Sequence, residues 1–314
     1  MSHRMKLLVI GAKGQLGWEL CRRGQHDDFD VIGLDLPDFD ITDPSGIDEA
    51  LSKKNIFLVI NAAAFTAVDR AESEQGLAFS VNSKGPVYLA KACSRFGIPL
   101  IHVSTDYVFD GSKETPYLET DPVSPVCVYG ESKAAGEKGV RDALESHIIL
   151  RSSWMYGAHG KNFVKTILHL ATEKEELRVV ADQYGCPTYA ADFAAVILKI
   201  AEQIRSGGTT PWGTYHYCGQ GVTTWHGFAE RICEIAKKHA TIKVKEIKAI
   251  CTEEYPTAAR RPPYSALDCS KIGEAIGVKL RKWQDSLAEF LTTFLRVNSR
   301  GERDVNERHA CDQS

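Results

Sequence analysis

The 314-residue sequence has no excess of either charge, since 38 Lys plus Arg stand against 41 Asp plus Glu for a formal net charge of −3. Without a basic excess there is no electrostatic footprint for nucleic acid or an anionic membrane, so neither is expected as a partner. Long apolar runs are also missing. The stretch Leu7 to Ile10 is typical, and a helix that crosses a bilayer needs about 20 apolar residues. Closely spaced cysteines are absent too. The nine fall at positions 21, 93, 127, 186, 218, 233, 251, 269 and 311, and none forms a C-x-x-C pair. An odd, scattered set argues against a zinc site or a disulfide framework. These cysteines read as small core hydrophobes in a reducing compartment. Met1 to Met5 leads into no signal-peptide core, because Leu7 to Ile10 runs into a glycine loop, and the expected location is cytoplasmic. No internal repeat is present.

What is present is an alternation of strand-like and helix-like segments. Lys6–Ile10, Val31–Leu34, Phe57–Ala64, Pro99–Ser104 and Ile148–Arg151 read as strands. Helices are expected over Leu16–Arg23, Pro44–Lys54, Ala71–Phe96 with a break near Gly85-Pro86, and Gly130–Leu144. Continuously apolar strands alternating with helices predict an α/β protein with a doubly wound parallel sheet covered on both faces. Farther along, Asn162–Leu170, Ala190–Arg205 and Trp225–His239 read as helices, Gly207–Gly213 as a loop, and Ile242–Ile250 as β-like. The chain is too long for one average domain. The expected division is a nucleotide-binding domain over 1–153, to which about 186–220 return, and a smaller C-terminal α/β substrate domain over 154–295. Residues 296–314 read as a frayed tail.

Gly11-Ala-Lys-Gly14-Gln15-Leu16-Gly17 follows the first strand and opens a helix. Glycines there let the backbone turn tightly and approach a diphosphate, while the helix N-terminus offers free N–H donors. This context points to a Rossmann-type dinucleotide site. Asp35 closes the second strand, 18 residues after Gly17. It can accept from ribose hydroxyls, which favours NAD over NADP, or serve only as a turn aspartate. Asp40 and Ile41 suit a place beneath an adenine, or an ordinary loop. Ala62, Ala63 and Ala64 end the third strand and leave room for a flat ligand, or for a closely packed helix. Tyr129 and Lys133 stand at i and i+4, sharing one helix face. A neighbouring ammonium is expected to pull the phenol down from about 10 towards a value useful for proton transfer. Thr105, at the end of the fourth strand, can hydrogen-bond a carbonyl oxygen.

These stretches together resemble the extended short-chain dehydrogenase/reductases, and within them the dTDP-4-dehydrorhamnose reductases. The resemblance runs through Gly14-Gln-Leu-Gly17-Trp-Glu-Leu20, Asn61 to Ala64, Thr66-Ala-Val68-Asp69 and Ser104-Thr-Asp-Tyr-Val-Phe-Asp-Gly111. It continues through Tyr129-Gly-Glu-Ser-Lys133, Arg151-Ser-Ser-Trp154, Asp182 to Thr188 and Arg260-Arg-Pro262. It implies that NADPH or NADH delivers hydride to C4 of a dTDP-linked 4-keto-6-deoxy sugar, giving dTDP-L-rhamnose. Thr105, Tyr129 and Lys133 are then the catalytic set, with Tyr129 as general acid and Lys133 on the nicotinamide ribose. Val68, Thr105, Asp106, Tyr107 and Trp154 match positions near the sugar. Arg260 suits a diphosphate, with a solvated basic turn as the alternative.

Some relatives hold a divalent cation such as magnesium at a homodimer interface through glutamates. Glu19 and Glu289 fit that pattern, but Tyr-Ala-Ala-Asp after Thr188 carries no glutamate, and no metal site is assigned. Two rival functions share the superfamily. Nucleotide-sugar dehydratases carry Thr-Asp-Glu where this chain has Thr105-Asp106-Tyr107, and epimerases retain their NAD. A reductase-like regulatory subunit without turnover is the alternative from another class.

Overall fold

The computed structural model describes residues 4–25, 29–52, 55–207 and 212–296. Six strands form one parallel sheet: β1 (Met5–Ile10), β2 (Phe29–Leu34), β3 (Ile56–Asn61), β4 (Leu100–Thr105), β5 (His147–Ser152) and β6 (Gly213–His216). Their order across the sheet is β6-β5-β4-β3-β1-β2. The chain leaves β1 towards one edge and returns to its other side at β3, so the topological switch lies between β1 and β3.

The sequence of β1 explains the double cover. Leu7 and Val9 belong to one hydrophobic cluster and Leu8 and Ile10 to another. Alternate residues of a strand face opposite sides, so a strand apolar throughout must be buried on both. The face of Leu7 and Val9 is covered by α1 (Gln15–Gly24) and the later helix Ala190–Arg205. The other face is covered by α2 (Pro44–Ser52), α3 (Gly85–Phe96) and α4 (Val128–Ala143). A separate cluster gathers around α5 (Phe163–Glu173), α6 (Ala190–Arg205, at its Tyr189 end), α7 (Trp225–Ala236) and a last helix over 283–296. A two-stranded parallel ribbon pairs Glu176–Val180 with Glu246–Ile250 beside it.

Two local expectations are corrected. The helix expected over Ala71–Phe96 divides at Glu74, and Ser80–Lys84 forms a π turn that runs directly into α3 at Gly85. Pro86 has no N–H to offer the Asn82 carbonyl four residues back. That carbonyl instead lies against Gly136 of α4, where a Cβ would come within 2.1 Å of it. Gly213, read as the end of a loop, starts β6, while 208–211 lie outside the described residues. The tail expected over 296–314 also lies outside them, apart from residue 296 at the end of the last helix.

Candidate active site

A cavity of about 660 Å³ opens along the C-terminal ends of the sheet strands, the edge at which open α/β sheets bind ligands. It brings together Gly11, Gly14, Gln15, Leu16, Asp35, Asp40, Ile41, Ala62, Ala63 and Ala64 from the first three units. Val68, Thr105, Asp106, Tyr107, Tyr129, Lys133 and Trp154 line it as well. Gly17 and Arg260 do not.

The glycine loop is fixed by contacts that exclude side chains. Gly11 has φ +84°, and a Cβ on it would lie 2.5 Å from the Ala63 backbone N. Gly17 works from behind: a Cβ there would lie 2.0 Å from the Gly11 carbonyl. Gly14 caps α1 without any side-chain cap bond, and the first turn holds no acid. The N-terminal N–H groups of α1 therefore face the cavity with no internal anion, which suits a diphosphate. At the end of β2 the Asp35 carboxylate accepts from the backbone N–H of Lys13 at 2.7 Å and of Leu36 at 2.8 Å. Asp40 caps its own turn by accepting from the N–H and hydroxyl of Thr42. Ile41 is buried against Gly85.

The groups expected to react sit on α4 and at the end of β4. Burial pushes the Tyr129 phenol up, with an opposing pull from a hydrogen bond to Thr105. This corrects the expectation that Lys133 lowers the phenol. The Lys133 ammonium is turned to the Val103 carbonyl of β4, at 2.7 Å. Burial lowers it to about 8, against the opposing charge of Glu137. The Thr105 hydroxyl donates to Asp106 Oδ1 at 3.0 Å. Asp106 is 2% exposed, and its Oδ2 has no partner. Burial raises its carboxyl to about 6, partly offset by the nearby Ser265 and Thr105 hydroxyls. The Tyr107 ring meets Tyr129 edge-on, with centroids 5.5 Å apart. Gly130 permits that approach, because a Cβ there would lie 2.2 Å from the Tyr107 carbonyl.

Contacts that the sequence order does not show hold the site together. Asn82 is fully buried and ties the loop after β3 to α4: it accepts from Phe65 N–H at 2.8 Å and donates to Ser132 Oγ at 3.0 Å. Glu137 of α4 takes a bidentate ion pair from Arg151 of β5, at 2.8 and 2.7 Å. The Arg151 guanidinium outweighs burial and holds the Glu137 carboxyl below its usual range. Trp154, at φ +46°, stacks on Trp225 with centroids 3.6 Å apart and planes within 9°. Gly185 also lies against it, where a Cβ would come within 2.5 Å of the indole. In the arginine pair it is Arg261, not Arg260, that is anchored, donating to Asp69 at 2.9 Å, while Arg260 is exposed. The glutamates considered for a metal are held by cations. Glu19 accepts from Arg22 and Arg23, and Glu289 from Arg281.

Comparison with known proteins places this geometry. The family model described as "RmlD substrate binding domain" matches residues 5–296. The dTDP-4-dehydrorhamnose reductase of Aggregatibacter actinomycetemcomitans is 44% identical over 284 residues, covering 90% of this chain and 97% of that protein. The crystal structure of the dTDP-4-dehydrorhamnose reductase from Clostridium acetobutylicum is similar, with TM-score 0.86 and 38% identity over 92% of this chain and 99% of that one. The Bacillus anthracis dTDP-4-dehydrorhamnose reductase in complex with NADP has TM-score 0.86 and 35% identity, with the same coverage of 92% and 99%. With the glycine loop, Thr105, Tyr129 and Lys133 gathered at one strand edge and a family match spanning nearly all of its length, the chain belongs to the dTDP-4-dehydrorhamnose reductase family.

Proposed function

We propose that this chain reduces the C4 keto group of dTDP-4-dehydro-L-rhamnose at the expense of NADPH or NADH, giving dTDP-L-rhamnose. The observation that carries the reading is the convergence of Thr105, Tyr129 and Lys133 with the glycine loop on one cavity. The cradle at Gly11 and the uncapped N-terminus of α1 fit a dinucleotide diphosphate. Asp35 keeps acceptor capacity for ribose hydroxyls, because a carboxylate has about four lone-pair sites and two are used. Asp40, Ile41 and Ala62 to Ala64 would flank the rest of the cofactor. When bound, the reduced nicotinamide supplies the hydride.

Tyr129 then acts as general acid, giving its phenolic proton to the C4 oxygen as negative charge develops there. Burial suits that task, because it keeps the phenol protonated until the charge appears. In the resting chain the Thr105 hydroxyl donates to Asp106; with substrate bound it would turn to the C4 carbonyl oxygen and orient it beside Tyr129. Lys133 would hold the nicotinamide ribose and stabilise the phenolate left after transfer. Val68, Asp106, Tyr107 and Trp154 would contact the sugar, with Trp154 offering a flat apolar face backed by Trp225. Arg260 belongs to the same proposal as a diphosphate contact, with Arg261 beside it.

The same reading divides the chain into a nucleotide-binding lobe, 1–153 with about 186–220, and a sugar-nucleotide lobe over most of 154–295. It extends to a cytoplasmic homodimer, which sedimentation of the purified chain tests. Turnover is tested by oxidation of NAD(P)H with dTDP-4-dehydro-L-rhamnose and identification of the sugar formed. Tyr129→Phe is expected to lower kcat by about 10²–10⁴. Full turnover in that variant would sink the acid assignment. A wild type that carries tightly held NAD and turns over without added NAD(P)H would favour an epimerase or dehydratase. No turnover at all would favour the regulatory subunit.

A further inference from the structure

Among the described residues three cations line the cavity: Lys13, Lys133 and Lys161. Two of them are engaged. The Lys13 ammonium donates to the Leu36 carbonyl at 2.5 Å, and the Lys133 ammonium to the Val103 carbonyl at 2.7 Å. The side chain of Lys161 is exposed and makes no hydrogen bond or ion pair with any described residue. Its neighbours in the chain, by contrast, are held on both sides. Gly160 packs on Gln15, the first residue of α1, where a Cβ would come within 3.2 Å of Gln15 Cγ. Asn162 donates to Gln15 Oε1 at 3.0 Å and to the Gly157 carbonyl at 2.8 Å. His159 donates to the Lys13 carbonyl at 2.9 Å, and its ring stacks on Trp18 of α1 with planes within 4°. Lys165 of α5 donates to the Ala158 and Gly160 carbonyls, each at 2.8 Å. The loop over 157–162, which follows the Trp154 platform, is thus clasped onto the glycine loop. It sets a free cation beside the N-terminal end of α1. That end is the positive pole of the helix dipole, so a cation there is unfavourable until an anion lies between the two.

Resting on the dinucleotide reading of this cavity, we propose that Lys161 is a binding residue for the dinucleotide diphosphate. It is supplied by the loop on the sugar side and aimed by the His159 and Asn162 contacts with the glycine loop. The glycine loop and α1 offer the diphosphate uncapped N–H groups, and the Lys161 ammonium adds the charge they lack. Three carboxyl groups, on Asp35, Asp40 and Asp106, line the same cavity, which makes a free cation the more valuable to an anionic ligand. The dinucleotide then joins the glycine loop to the segment that carries Trp154. NADPH and NADH have the same diphosphate, so Lys161 serves both equally and does not choose between them.

The test is titration calorimetry of NADPH, NADH and dTDP, each alone, into the full chain and into Lys161→Met and Lys161→Arg. Lys161→Met is expected to weaken NADPH and NADH alike by about tenfold, the scale of one charge-assisted hydrogen bond. Its affinity for NADPH should also fall less steeply with added salt than that of the wild type. Affinity for dTDP and Tm are expected to stay as they are, and Lys161→Arg to keep dinucleotide affinity near that of the wild type. His159→Ala leaves the charge in place but loosens its aim, so a smaller loss in the same direction is expected. Unchanged dinucleotide affinity in Lys161→Met would overturn the proposal. So would a loss that falls on dTDP instead, which would give the lysine to the sugar nucleotide. An equal loss in Lys161→Arg with a lowered Tm would mark a structural role and overturn it too. A wild type that binds dTDP but neither dinucleotide would remove the dinucleotide reading itself, so the two failures are told apart.

Discussion

Asp106 carries a carboxyl that keeps its proton to about pH 6 in the folded chain, against an ordinary 3.8. Between those values the folded state binds more protons than the unfolded one, so this group's contribution to stability falls as pH rises through the window. Its full size is about 3 kcal/mol as an upper bound, at 1.36 kcal/mol per unit. The expected outcome is that the stability of wild type relative to Asp106→Asn is greater at pH 4 than at pH 7. Urea unfolding of both proteins at the two pH values reads this difference, and parallel profiles would count against it. The residue type and position were legible in the sequence beside Thr105. The unpartnered Oδ2 was not, because the burial that isolates it is set by long-range packing at the end of β4.

The π turn, α3 and α4 form the element that holds the proposed acid, Tyr129, in place. Gly130→Ala would push a Cβ to within 2.2 Å of the Tyr107 carbonyl. Overpacking against backbone costs about 1–3 kcal/mol, and here it displaces the turn that carries Thr105 and Tyr107. The expected result is a lower Tm together with a lower kcat. Gly76 is the control, since a Cβ there meets nothing within 4 Å. Gly76→Ala should leave turnover unchanged and add about 0.5–1 kcal/mol of stability, both read by thermal unfolding and assay. The strands of the sheet were legible because each carries apolar residues on both faces. β6 was not, because Gly213-Thr-Tyr-His presents no apolar run and joins the sheet only through β5. The Trp154–Trp225 stack was equally hidden, since 71 positions separate residues that meet only through tertiary packing.

The molecule as a whole joins a two-faced sheet to a separate cluster of helices, and the cavity is lined from both sides. Gly11 and Asp35 come from the sheet lobe, while Trp154 packs against the other cluster. A dinucleotide and a dTDP-sugar bound together should therefore stabilise both. At 100 times the dissociation constant a ligand adds about 2.7 kcal/mol. The expected outcome is one thermal transition that moves upward as NADPH and dTDP are added together. A transition that splits, with only one part moving, would place the ligands on a single lobe. The general layout of this cavity was legible from the order of the motifs. The boundary between clusters was less so, because the segments that cross it return at long range.

The helix bearing Tyr129 and Lys133 is fastened by Gly136 against the Asn82 carbonyl and by Glu137 on Arg151, and none of these four residues lines the cavity. On the proposed reading, the chemical step and the choice of sugar are thereby supported by different parts of the chain. Loops that touch the sugar can be exchanged while the proton donor keeps its place. Under the proposed function, changes at Val68 or the Trp154 platform are expected to alter which keto sugar is accepted while the anchorage of Tyr129 stays as it is.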